Sequence, residues 1–71
     1  MNVNTKRLNE KIESINHILK DIYNSKLEIS AKNNRKSLTL DNTQISYGTN
    51  KSIYIFLCGF EECLKIVKNG E

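Results

Sequence analysis

The chain has 71 residues, a formal net charge of +3 and 38% hydrophobic residues. A chain this short buries only about 60% of its unfolded surface, which excludes a deep catalytic cleft alongside a core and favours a small single-domain binding module over an enzyme. The charge excess is mild and local, with +1 over residues 1–23, +3 over 24–52 and −1 over 53–71, which excludes the composition of a strongly basic nucleic-acid binder but leaves a footprint in the middle of the chain.

The opening MNVNTKRLNE is polar and has no apolar signal-peptide core. Residues 5–23 read as an amphipathic helix. Leu8, Ile12, Ile15, Leu19 and Ile22 recur at spacings of four and three, with Ile18 alongside. Asn4 or Thr5 is placed to cap its start by accepting a bond from an otherwise orphaned amide. His17 falls on the far side from the apolar stripe, where a single histidine is read as a solvated surface residue rather than a ligand or a base.

Residues 26–47 read as three short antiparallel strands. Asn33-Asn34 and Asp41-Asn42 are two-residue turns, because asparagine and aspartate tolerate the positive φ that tight hairpins need. With these turns Ile29 faces Leu38, Leu27 faces Leu40 and Ala31 faces Lys36. In the second hairpin Leu38 faces Ile45 and Lys36 faces Tyr47. Leu27, Ile29, Leu38, Leu40 and Ile45 then share one face, and the other face is wholly polar. A slip of one residue would destroy this pattern.

Gly48 ends the third strand. Residues 52–58, SIYIFLC, admit two readings. Ile53, Tyr54, Ile55 and Phe56 have the β-propensity of a fourth strand. Read as a helix starting at Asn50 to Ser52, the segment runs to Asn69 before Gly70, a C-terminal stop. Ile53, Phe56, Leu57, Phe60, Leu64 and Val67 then form one stripe that crosses Gly59 without losing phase, and Glu61, Glu62, Lys65 and Lys68 avoid it. The helix reading is preferred. The expected fold is α+β, in the order α-β-β-β-α, a three-stranded antiparallel meander with two helices on its apolar face. The longest apolar run, Ile53–Cys58, is too short to span a bilayer. A soluble cytoplasmic protein with no membrane partner is expected.

Chemistry-bearing residues are sparse. Cys58 and Cys63 are five apart, which fits neither zinc-knuckle spacing nor a mutual disulfide on a helix, and both read as small buried hydrophobes. Glu61 and Glu62 are adjacent, do not face each other on a helix and read as a solvated face. No phosphate-binding glycine motif is present. No catalytic residue, metal or cofactor is expected. Lys26, Lys32, Arg35, Lys36 and Lys51 cluster in or near the hairpins, and Lys32, Arg35 and Lys36 flank the Asn33-Asn34 tip, where a basic tip could meet phosphates. The polar sheet face carries no aromatic platform for bases, since Tyr47 is expected on the inner face, and lysines at a hairpin also guard it against edge pairing.

The last helix is apolar on more than one side. Ile55, Gly59 and Ile66 lie along a second line, bordered by Cys63 and flanked by Tyr54. Either this helix is wedged between the sheet and the first helix, or the strip is exposed as a homodimer seam or a docking surface for another protein, with Gly59 permitting close approach of a backbone.

LNEKIESIN (8–16), the hairpins and TNKSIYIFLCGF (49–60) together resemble small accessory proteins of phages and mobile elements of Gram-positive bacteria. In that pattern, roughly T-[KN]-[RK]-x-[IL]-Y-x-[FL]-L-x-G opens a helix. Thr49, Ile53, Tyr54, Leu57 and Gly59 match it and Lys51 fits its basic position, while Ser52 and Ile55 depart from its commoner acidic or polar residues. The resemblance implies a helix for residues 52–58. By association with the anti-CRISPR and other anti-defence inhibitors among such proteins, it also implies a non-enzymatic protein that binds and inhibits a host protein, a CRISPR or other antiviral defence effector. The partner surface would be Tyr54, Ile55, Gly59 and Ile66. The alternatives are a nucleic-acid-binding or regulatory module using Lys32, Arg35, Lys36 and Lys51, and a structural homo-oligomer.

Overall fold

The computed structural model describes residues 2–70. Helix α1 spans Thr5–Tyr23, strand β1 Leu27–Lys32, β2 Arg35–Leu40, β3 Thr43–Gly48, and helix α2 Asn50–Asn69. The strands form one antiparallel sheet in the order β1-β2-β3. Both helices pack on the same face of the sheet and against each other, so the fold is the expected α-β-β-β-α arrangement.

Local chemistry explains the boundaries. Asn4 caps α1, its side chain accepting from the Arg7 amide at 2.8 Å. Asn24 ends the helix in the left-handed conformation (φ 53°), its N–H donated to the Leu19 carbonyl. Asn33, Asn34, Asp41 and Asn42 all have positive φ, between 49° and 73°. Both hairpins therefore close through mirror-image two-residue turns, whose twist matches that of the strands. Asp41 also ties this end of the sheet: its Oδ1 accepts from the Lys26 amide, and its own N–H donates to the Lys26 carbonyl.

The first hairpin has the expected register, with Leu27 opposite Leu40, Ile29 opposite Leu38 and Ala31 opposite Lys36. The second does not. Leu40 pairs Thr43 and Thr39 pairs Gln44, but Leu38 then pairs Ser46 and Lys36 pairs Gly48. A β-bulge takes up Ile45 as an extra residue on β3. Ile45 still packs against the core. Beyond the bulge every residue is shifted by one, so Tyr47 lies opposite Ser37 rather than Lys36. Tyr47 thus stands on the outer face, which is not wholly polar.

Residues 52–58 are helical, which removes the strand reading. Thr49 caps α2, its side chain accepting from the Ser52 amide. The turn into the helix is tight: a Cβ on Gly48 would lie 2.5 Å from Ser52 Oγ. At the far end Gly70 donates to the Ile66 carbonyl from a right-handed conformation, so it stops the helix without the left-handed turn that often marks such a glycine. Leu8, Ile15, Leu27, Leu38, Ile53 and Leu57 are fully buried between the layers, each contributing about 1.5–3 kcal/mol by removal from water. Val3, before the first helix, joins this core, and its carbonyl accepts from the Asn50 side chain at 3.2 Å.

Candidate functional site

Helix α2 is amphipathic in an unusual way. Ile53, Leu57 and Leu64 are buried beneath it, but Phe56 and Val67 are exposed and Phe60 is only half buried. The stripe expected to be core therefore leans off the sheet. Beyond it Ile55 is 54% exposed and Ile66 69% exposed, and Gly59 and Cys63 are exposed as well. Helical spacing puts Ile55, Gly59 and Ile66 on one line and Phe56, Cys63 and Val67 on the next. Together they form a continuous apolar face about 18 Å long at 1.5 Å per residue. Phe56 and Phe60 set one side of it as a tilted ring pair with centroids 6.0 Å apart. Gly59 sits in its middle, and a Cβ there would meet nothing within 4 Å. The strip is exposed rather than wedged between the sheet and the first helix.

Tyr54 lies on a different flank. It is half buried against the core, with Arg7 4.9 Å and Lys11 5.4 Å from its ring centre. Tyr54 therefore belongs to the seam between α1 and α2, not to the line of Ile55, Gly59 and Ile66. Glu61 belongs to that seam too. Expected on a solvated face, it is 8% exposed. Lys11 Nζ donates to its Oε1 at 2.9 Å and Ser14 Oγ to its Oε2 at 3.4 Å. Lys11's hydrogen bond, with its positive charge, holds the Glu61 carboxyl below the ordinary carboxylate range, outweighing the opposing effect of burial. The same bond raises Lys11. Glu62 remains exposed.

Three of the five basic residues singled out in the sequence meet in one place, while Lys26 lies at the opposite end of the sheet, its amide bonded to Asp41. Arg35, Lys36 and Lys51 line a concavity of about 430 Å³ between the β1–β2 turn and the starts of the two helices. Lys32 is opposite Arg35 in the first hairpin. Beside them is the residue that the sequence reading misplaced. Tyr47 is 42% exposed, and its hydroxyl donates to the Lys32 carbonyl at 3.1 Å.

Cys63 is exposed and Cys58 only half buried, and both thiols are free, so the reading of two buried hydrophobes fails for Cys63. Their placement on separate flanks of α2 follows from the spacing of five. Among the described residues no group of three or more His, Cys, Asp or Glu side chains comes together to hold a metal. His17 is exposed, as its position opposite the stripe requires. Among the described residues no helix is long and apolar enough to cross a membrane. No protein-family model, curated protein or solved structure matches the chain.

Proposed function

We propose that the domain is a non-enzymatic binding module that acts by docking the outer face of α2 onto another protein. The observation that carries this reading is the apolar face of Ile55, Phe56, Gly59, Cys63, Ile66 and Val67, uncovered along the middle and far half of the helix. Single exposed hydrophobes are ordinary, but a contiguous strip of this kind marks an interaction surface. Gly59 adds to it. A glycine inside a helix weakens it by about 0.5–1 kcal/mol relative to alanine, and nothing within this chain crowds the position. Close approach of a partner backbone supplies the reason for a bare α-carbon there. The sequence resemblance supplies the class of partner: a host protein that the module inhibits, with a CRISPR or other antiviral defence effector as the intended target.

The test is affinity capture from host lysate after nuclease treatment, comparing the native chain with Ile55→Asp and Ile66→Asp, each checked for folding by circular dichroism. The reading expects one host protein held by the native chain and released by both folded variants. Retention of that protein by both variants would place the contact elsewhere. Return of the bait alone, with concentration-dependent self-association that Ile66→Asp abolishes, would make the strip a homodimer seam instead.

A further inference from the structure

The positive charge of the molecule is gathered at one end. Helix α1, the β1–β2 turn and helix α2 all present their starts or tip there, side by side around the concavity that Thr5, Asn34 and Asn50 share. Six of the eleven cationic residues belong to this end: Lys6, Arg7, Lys32, Arg35, Lys36 and Lys51. Neither helix has an acidic residue in its first turn, although acids there complement the helix dipole and are commonly used. Glu28 and Asp41 lie toward the opposite end of the sheet, Glu61 and Glu62 lie midway along α2, and Glu10 follows Lys6 and Arg7 by one turn on α1. Among the described residues the ion pairs are Lys11–Glu61 and Lys68–Asp21, so none of the six is paired. The local excess is larger than the +3 of the whole chain, and self-repulsion of this kind works against folding.

The bulge at Ile45 adds an aromatic group to this charge. Tyr47 springs from β3, yet its hydroxyl reaches the Lys32 carbonyl on β1, across the middle strand. Neighbouring strands are about 4.8 Å apart, so the side chain must lie along the sheet rather than stand away from it. Ser37, opposite it, is 6% exposed although it sits on the outer face, and its hydroxyl donates to the Gln44 side chain at 2.8 Å. The outer face at the basic end thus presents a recumbent ring flanked by Lys32 and Arg35. Arg35 then leads around the turn to Lys36 and Lys51.

A half-exposed ring beside a track of unpaired cations is the chemistry that holds a single strand, with a base on the ring and phosphates on the cations. An acidic protein would meet the cations without needing a base-sized planar contact on the ring, and a duplex keeps its base faces stacked inside. We propose that Tyr47, Lys32, Arg35, Lys36 and Lys51 form a docking platform for single-stranded nucleic acid. Tyr47 stacks one base, and the four cations take successive phosphates. Tyr47, Lys32 and Arg35 lie on the opposite side of the sheet from the helices, and Lys36 and Lys51 lie at the helix starts, before the apolar face of α2 that begins at Ile55, so neither reading depends on the other.

The test is fluorescence anisotropy with a short fluorescein-labelled oligothymidylate, a duplex of equal length and polyglutamate as probes. Four phosphate contacts on a single strand predict a salt slope of about −3, or roughly 50-fold weaker binding between about 50 and 200 mM salt. Tyr47→Ala should weaken single-strand binding by about 5- to 160-fold while leaving that slope unchanged. Tyr47→Phe, which keeps the ring, should retain binding, and circular dichroism of both variants separates lost stacking from lost folding. Lys32→Ala with Arg35→Ala should flatten the slope. Absence of binding at low salt, equal affinity for duplex or polyglutamate, or a folded Tyr47→Ala variant that binds as the native chain does would each overturn the proposal.

Discussion

Glu61 occupies a position on α2 where helical spacing calls for an apolar side chain, four residues after Leu57 and three before Leu64. Periodicity counts it as polar and sends it to solvent. What reverses this is a pair of residues on another element, Lys11 and Ser14, one turn apart on α1 and both donating to its carboxylate. No window along one helix contains that information. Glu61→Gln keeps the shape and removes the charge, and it should cost about 1–3 kcal/mol, the range for disturbing a charged, largely buried hydrogen bond. The sign of the pH effect follows from the lowered carboxyl pKa. Glu61 contributes stability that is present above the ordinary carboxylate range and is lost as pH falls through its depressed folded value. Urea unfolding of the native chain should therefore show a steeper loss of stability from neutral pH into acid than Glu61→Gln does. Parallel acid limbs in the two proteins would contradict the pairing. Asn16 was equally hidden. Its side chain accepts from the Leu27 amide at 2.7 Å and donates to the Leu27 carbonyl at 3.1 Å, clamping the first residue of β1 to the helix. Nothing in the pattern of α1 marks an asparagine that reaches a strand.

At the scale of elements, both hairpin turns were legible because asparagine and aspartate at paired positions carry a backbone reason of their own. Asn42, at φ 73°, gives the direct check. Asn42→Ala should destabilise the domain by about 1–2 kcal/mol, the cost of a Cβ in the left-handed region, while Asn42→Gly should not. An unchanged urea midpoint for Asn42→Ala would contradict this turn geometry. The register of the second hairpin was not legible, although its turn was. Counting back from Asp41-Asn42 in steps of two gives Leu38 opposite Ile45, and the bulge breaks that count after two pairs. Ile45 keeps its apolar contact in either register, so hydrophobic patterning could not report the slip. Its consequence falls on Tyr47, which changes face. Extent was easier to read than packing in α2. The run from Asn50 to Asn69 followed from the sequence, but the Thr49 cap was not read there, and Phe56 and Val67 are exposed because the helix axis lies over the middle and last strands in a way that a stripe drawn on one helix cannot specify.

The whole molecule presents two unlike surfaces, the apolar face of α2 and the basic end of the sheet. The first could be anticipated, since Ile55, Gly59 and Ile66 overfill the helix beyond what a two-layer domain can bury. The second needed the topology, because Lys6, Lys32 and Lys51 are distant in sequence and share an end only through the up-and-down order of the elements. Gly59 tests whether the first surface is shaped by something outside the chain. Gly59→Ala should raise stability by about 0.5–1 kcal/mol in urea unfolding, since a Cβ there meets nothing. A loss of stability would show that the position is already crowded within the domain. The two cysteines provide a direct footprint of the central claim. Cys63 lies on the apolar face and Cys58 on another flank of the same helix, and both are free. The measurement is the rate at which a small maleimide modifies each thiol in the isolated protein and in the complex with its captured partner. Docking through the outer face of α2 predicts that Cys63 is protected in the complex while Cys58 reacts as before. An unchanged Cys63 rate in a saturated complex would contradict it.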